Sequence, residues 1–240
     1  MSLTYSEGVK THEVEQSETS GEDSEQRSAD AKPAPERREG GGTVMNTVQP
    51  IRDEEALRRC FEIARAHDRE KRQGETNWEL LLAVGFSTSL RISDISRMRV
   101  RDIAGTERVQ VKAKKTGKVT NIYVNREARK RIERLLKGRE PNELVFASRQ
   151  KDPETGMPRA ITRQRAYQII NRIARMAGIQ DRIGCHTLRK TFGYRYYKET
   201  GDVVSLQRIL CHSSSRETLL YIGVIQEEID NSLRGFKTVW

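Results

Sequence analysis

Apolar side chains are spread unevenly along this chain, and that asymmetry decides where a core can form. Residues 1–44 are rich in Glu, Ser and Gly, hold Tyr5 as their only aromatic, and end on Gly40-Gly41-Gly42 and two further residues. Such a segment buries too little apolar area to offset the entropy of ordering it. It is expected to be a disordered acidic leader, either appended or a natural upstream extension ahead of Met45. The core must then come from residues 45–240, which leaves room for one ordinary domain.

Charge divides in the same place. Residues 1–44 carry five basic and ten acidic side chains, against 44 and 34 in the whole chain, so the remainder holds a net +15. A folded domain with that excess suits a polyanion, because each phosphate contact releases condensed counterions. A basic domain with no nucleic-acid role fits the charge equally well. No apolar run approaches the ~20 residues needed to cross a bilayer, so no membrane association is expected. Cys60, Cys185 and Cys211 are far apart and lack C-x-x-C spacing, which argues against a disulfide framework or zinc site and fits a reducing compartment.

Local signals predict a mainly α fold with one small antiparallel β-sheet (α+β). Asp53 reads as an N-cap with Glu54 and Glu55 in the first turn, and Leu57, Phe61 and Ala64 mark one face. Asn77 reads as the cap of a second helix, and a short helix is expected over 92–98. Residues 108–113 and 119–124 alternate as two strands, joined by the turn Lys115-Thr116-Gly117-Lys118. Further helices are expected at 126–137, 163–177, 187–199, 203–210, 215–222 and 226–233. Ser214 and Glu217 have capping-box spacing.

Several residues can carry chemistry, and each has a plain alternative. His186 and Arg189 are three apart, so one helix face presents both to one point. Histidine transfers protons near neutral pH, and the guanidinium fork matches a phosphate. An exposed charged face would look the same. His212 sits between two helices, where a backbone-bonded turn histidine is the bland reading. Tyr221 lies among Leu219, Leu220, Ile222 and Val224 and reads first as a packing residue. Arg91 opens a helix, where the plain reading is a capping arginine or one paired with Asp94. Lys115 at a hairpin turn is the usual place for a solubilising lysine.

Taken in order, these residues are far more specific. Arg91 in T-S-L-R-I-S-D-I, Lys115 in K-K-T-G-K, His186 and Arg189 in H-T-L-R-K-T-F, His212 in L-C-H-S-S and Tyr221 in T-L-L-Y together resemble the tyrosine recombinase (phage integrase) family. The resemblance runs from about residue 50 to 235 and covers that family's catalytic domain. Two positions depart from it: Cys211 stands where relatives often have Gly, and Lys190 where they often have His. Many integrases also carry a separate core-binding domain before the catalytic one. Residues 1–44 are too polar to form it, so the resemblance implies either a truncated chain or a naturally minimal recombinase.

The resemblance implies a site-specific recombinase or integrase of a phage or mobile element. Tyr221 would attack the scissile phosphorus to form a 3′-phosphotyrosyl link. Arg91 and Arg189 would clamp the phosphate, Lys115 would protonate the leaving 5′-oxygen, His186 would assist proton transfer at Tyr221, and His212 would bond a phosphate oxygen. Lys112, Lys114 and Lys118 would touch the DNA backbone. No cofactor or metal is implied. The implied partners are double-stranded DNA and further copies of the chain, assembled on DNA through segment 225–240, where Ile225, Ile229 and Leu233 share one face. The implied location is cytoplasmic and nucleoid-associated. A type IB topoisomerase-like enzyme would typically have Lys in place of His186. A non-catalytic DNA-binding module of the same fold would not need all six groups.

Overall fold

The computed structural model describes residues 47–71, 74–112, 117 and 119–236. The expected leader 1–44 therefore lies outside the described residues. So do Lys114, Lys115 and Lys118, and the side chain of Lys112.

Nine helices and two small sheets are present among the described residues. Helix α1 (Glu54–Glu70) starts where Asp53 accepts hydrogen bonds from the Glu55 and Ala56 amides. Its buried stripe is Ala56, Cys60 and Ala64, with Leu57 and Phe61 at the margin, one position from the expected face. Helix α2 (Trp78–Thr88) is capped by Asn77 Oδ1 on the Leu80 amide at 2.7 Å. It is almost wholly buried. Its single charged side chain, the Glu79 carboxylate, faces Arg65, Arg131 and Arg134 at 3.1, 3.5 and 3.7 Å. The short α3 (Ile92–Ile95) follows, then a 3-10 turn, Val100–Asp102.

Strands β1 (Arg108–Lys112) and β2 (Val119–Tyr123) pair antiparallel with Val109 opposite Ile122. Helix α4 (Arg126–Leu136) lies on the outside and buries only Ile132 and Leu136. A second antiparallel pair, β3 (Ala147–Lys151) and β4 (Pro158–Ala160), was not expected from the sequence. Its strands are mostly exposed, so no apolar alternation marks them. Asp152 builds the turn instead, accepting from the Glu154 and Thr155 amides at 3.1 Å each, with Gly156 at φ 67°.

Helices α5 (Arg163–Met176), α6 (Cys185–Thr200), α7 (Val203–Leu210), α8 (Ser215–Ile222) and α9 (Val224–Gly235) complete the fold. Helix α6 begins before the expected 187, which puts His186 inside its first turn. The Ser214–Glu217 box is only half made. Ser214 Oγ accepts the Glu217 amide at 3.1 Å, but the Glu217 carboxylate takes the Ser213 amide at 2.8 Å.

Helix α6 is the axis around which the rest is arranged, and two glycines allow it. A Cβ on Gly85 of α2 would overlap Leu188 of α6, and one on Gly193 of α6 would lie 2.8 Å from Ile222 Cγ2 of α8. Both helices thus approach α6 at backbone distance. The main core runs from Ile51 to Leu188, and a smaller cluster of Tyr194, Leu206, Leu210, Ile222 and Val224 sits under α8. The segment before α1 is tied to α6 as well: Thr187 Oγ1 donates to the Gln49 carbonyl at 2.9 Å, and the Ile51 amide donates to Thr191 Oγ1 at 2.8 Å.

Ser89, at the C-terminus of α2, has φ 54° and a fully buried hydroxyl without a hydrogen-bond partner among the described residues. Left-handed backbone costs a non-glycine residue about 1–2 kcal/mol, and an orphaned buried hydroxyl about 1–3 kcal/mol. Glycine gives back ~0.5–1 kcal/mol through unfolded-chain entropy. Ser89→Gly is therefore expected to stabilise the fold by about 1 kcal/mol in denaturant unfolding. A destabilised variant would mean that the hydroxyl has a role in the native state.

Candidate active site

Four of the six residues singled out in the sequence lie on or beside α6 and α8. His186 and Arg189 come from the first turns of α6, Tyr221 from α8, and His212 from the turn between α7 and α8. Arg91, at the start of α3, completes the set of five that the structure describes. Lys115 lies outside the described residues.

Arg189 is 5% exposed. Its Nη1 donates to the Ser89 carbonyl and its Nη2 to the Leu210 carbonyl. One guanidinium thus braces the end of α2 and the end of α7 against α6. Burial pulls its pKa below the usual arginine value, partly offset by Tyr221. No carboxylate shares its site among the described ion pairs, so the charge is kept for something else.

Tyr221 is half-buried, with its ring against the smaller cluster, so the packing reading of this residue is correct as far as it goes. Its hydroxyl, though buried, meets polar groups. Tyr221 Oη lies 3.3 Å from His186 Nδ1. Burial raises the phenol's pKa, while Arg189 and Arg91 pull it down. His186 is shifted the opposite way. Desolvation comes first, then the positive charges of Arg163, Arg189, Arg91 and Lys190, and all lower its pKa. At neutral pH the imidazole is therefore neutral, with a lone pair available beside a protonated phenol.

His212 follows Cys211, which adopts φ 52° to end α7. Its amide donates to the Gln207 carbonyl at 3.0 Å, and its ring meets Tyr221 edge-on, centroids 4.9 Å apart. Burial lowers its pKa, with Glu217 opposing and Arg189 and Arg91 adding to the shift. Its Nδ1 is 3.2 Å from Thr218 Oγ1. The Thr218 hydroxyl also donates to the Ser214 carbonyl at 3.1 Å, so it sits between that carbonyl and the imidazole.

Arg91 is half-buried, and its guanidinium forms no hydrogen bond or ion pair among the described residues. The pairing with Asp94 is not made; Asp94 sits 3.4 Å from Arg97 instead. Arg91 nevertheless bears on His186, Arg189, His212 and Tyr221 electrostatically. The result is a convergent cationic site with a phenol and two neutral imidazoles at its centre.

Three residues near the centre were missed by sequence reasoning or given no role. Thr218 was invisible because its partner is set by the α7–α8 turn. Arg163, at the start of α5, faces a cleft of about 480 Å³ that His186 also lines. Lys190 was noted only as a departure from the family. A larger cleft of about 1270 Å³ runs beside the site, from β2 past Phe61, Phe86 and Phe192 to Cys211, with Arg131, Arg134 and Arg195 among its walls.

Comparison with known proteins identifies the family. The family model described as the phage integrase family matches residues 55–228. The chain is 35% identical over 183 residues to the probable integrase/recombinase YoeC of Bacillus subtilis (strain 168), covering 76% of this chain and 93% of that one. It is 27% identical over 163 residues to the tyrosine recombinase XerC of the same organism, covering 64% of this chain and about half (51%) of XerC. The XerH site-specific recombinase, in a post-cleavage complex with palindromic difH substrate, superposes with a TM-score of 0.57 at 19% identity. That match covers 80% of this chain and 55% of XerH, and at such identity it speaks for the fold alone. The chain belongs to the phage integrase family of tyrosine recombinases, a family of site-specific DNA strand transferases.

Proposed function

We propose that this chain cleaves and rejoins DNA at a specific site through a transient 3′-phosphotyrosyl bond, with Tyr221 as nucleophile. The observation that carries the reading is the 3.3 Å approach of His186 Nδ1 to Tyr221 Oη within a site that Arg91 and Arg189 make cationic. The Tyr221 proton passes to His186 as Oη attacks the scissile phosphorus. The bond from phosphorus to the 5′-oxygen breaks, and that oxygen takes a proton and departs as a 5′-hydroxyl. In the return step a 5′-hydroxyl attacks the phosphotyrosine and Tyr221 is released. The phosphoester count is unchanged throughout, so no ATP is consumed.

Arg91 and Arg189 neutralise charge on the non-bridging oxygens, and His212 hydrogen-bonds one of them. Lys115 serves as general acid for the 5′-oxygen, and Lys112, Lys114 and Lys118 hold the DNA backbone; these four rest on the sequence pattern. The net +15 of residues 45–240 supports double-stranded DNA as the substrate, as does the likeness to a recombinase solved on DNA. Residues 45–240 act as the catalytic domain, and strand exchange by a phage or mobile element at the nucleoid, in the cytoplasm, is the setting that the family supports. His186 beside Tyr221 favours a recombinase over a type IB topoisomerase-like enzyme.

Segment 225–240 mediates assembly on DNA. Leu233 and Phe236 are 66% and 70% exposed there, while Ile229 lies outside the described side chains. A chain ending at residue 224, which keeps the core residue Val224, is expected to bind DNA as a monomer where the full chain forms higher complexes in gel-shift and sedimentation. Equal assembly by both chains would remove the segment from this role.

The chemistry is tested by trapping. A nicked suicide substrate from a pooled site library should leave a protein–DNA adduct, and digestion with mass spectrometry should place the nucleotide on Tyr221. An adduct on another residue, or none despite salt-sensitive DNA binding, would overturn the assignment.

A further inference from the structure

We infer that Lys190 is a positioning residue for Tyr221, its ammonium holding the face of the nucleophile's ring. The inference rests on the reading of Tyr221 as nucleophile and adds a residue to it. Lys190 is one helical turn beyond His186, so α6 presents both toward α8. Its Nζ lies 5.0 Å from the Tyr221 ring centroid, although the residue as a whole is only 8% exposed. No hydrogen bond or ion pair of that ammonium is formed among the described residues. A lysine buried without a counter-ion is unusual, and the aromatic face is the group that receives its charge. Burial first, and Arg52 second, depress its pKa, the cost expected of a cation kept in that place.

Tyr221 is then gripped on three sides. His186 meets the hydroxyl, His212 meets the ring edge-on, and Lys190 covers the face. The contact is to the ring and not to the oxygen: Arg189 and Arg91, not Lys190, are the cations that shift the phenol. Lys190 therefore sets where the ring lies, and through that the line of attack, rather than when the phenol ionises. A misplacement of the ring weakens reaction geometry more than it weakens DNA binding.

The test uses the full chain with Lys190→Met, which keeps the apolar stem and loses the charge, and Lys190→Arg, which keeps the charge. Lys190→Met is expected to lower the single-turnover cleavage rate roughly 10- to 30-fold, the range for a desolvated cation–π contact. DNA affinity by fluorescence anisotropy should stay within about twofold of wild type, and Lys190→Arg should recover most of the rate. A residue needed only for packing would behave the other way, with Met adequate and Arg disruptive. Wild-type cleavage by Lys190→Met, or a loss confined to DNA affinity, would overturn the inference.

A second readout is independent of cleavage. In fluorotyrosine-labelled protein the Tyr221 resonance, assigned by its loss in Tyr221→Phe, should shift and broaden in Lys190→Met and return in Lys190→Arg. An unmoved resonance sinks the role of Lys190 whether or not DNA is cut. If wild type forms no Tyr221-dependent adduct, the nucleophile reading fails, and the resonance still decides whether Lys190 holds the ring.

Discussion

Tyr221→Phe is expected to reduce covalent DNA attachment to below detection while leaving the fold and DNA affinity nearly unchanged. Losing a covalent nucleophile costs on the order of 10⁶ in rate where it has been measured by deletion, and no second hydroxyl among the described contacts shares the His186 position. The ring of Tyr221 packs against the smaller cluster, and phenylalanine keeps that packing. The hydroxyl gives up its 3.3 Å contact to His186, exposed at one edge, and its hydrogen bond to Arg189, whose two carbonyl bonds remain. Thermal unfolding should therefore shift little. Burial holds the phenol protonated at neutral pH, so it needs a base. His186 is lowered from its ordinary value and is neutral there. As pH falls, cleavage by the wild type should persist through the usual histidine range of about 6.5 and fail only below it. Adduct formation by Tyr221→Phe at the wild-type rate would remove Tyr221 from the chemistry.

Arg189 and Arg91 are expected to separate stability from catalysis. Arg189→Ala removes the donor to two buried carbonyls, Ser89 and Leu210, and each orphaned group costs about 1–3 kcal/mol. It also removes the proposed phosphate clamp, for which the expected loss is ~10²–10³ in rate. Both stability and cleavage should fall. Arg189→Lys should recover little, because a single ammonium cannot reproduce a planar fork bonded in two directions. Arg91→Ala removes a guanidinium with no partner among the described residues. It should cost a similar factor in rate and leave the unfolding midpoint almost unchanged. Denaturant unfolding alongside suicide-substrate kinetics checks both. Equal destabilisation by the two variants, or wild-type cleavage by Arg91→Ala, would contradict the division of labour.

Much of this protein could be read from short-range pattern. Asp53, Asn77 and Ser214 cap helices because an Asn, Asp or Ser oxygen reaches an amide two or three residues on, whatever the rest of the fold does. The β1–β2 pairing follows from alternation across a turn, and the ordered set from Arg91 to Tyr221 was enough to indicate the family. The β3–β4 pair was not legible, since its exposed strands carry no apolar period. The outward rotation of Leu57 and Phe61 on α1 was missed because helical spacing alone does not say which of two adjacent stripes meets the core.

What the sequence determined by itself is therefore where the core lies, which helices and which hairpin form, and which residue types are available for chemistry. Tertiary structure decided how those residues meet. His186 and Tyr221 are 35 positions apart, and Arg189 and Ser89 are 100 apart. Their encounter depends on α2 and α8 closing onto α6 at Gly85 and Gly193. It also decided that Arg189 is a brace as well as a cation, that Ser89 is strained, and that Lys190 covers a tyrosine ring. The physical reason is range: a cap or a turn is settled within one helical turn of chain, whereas a charge placed over a ring is settled only when two distant helices pack.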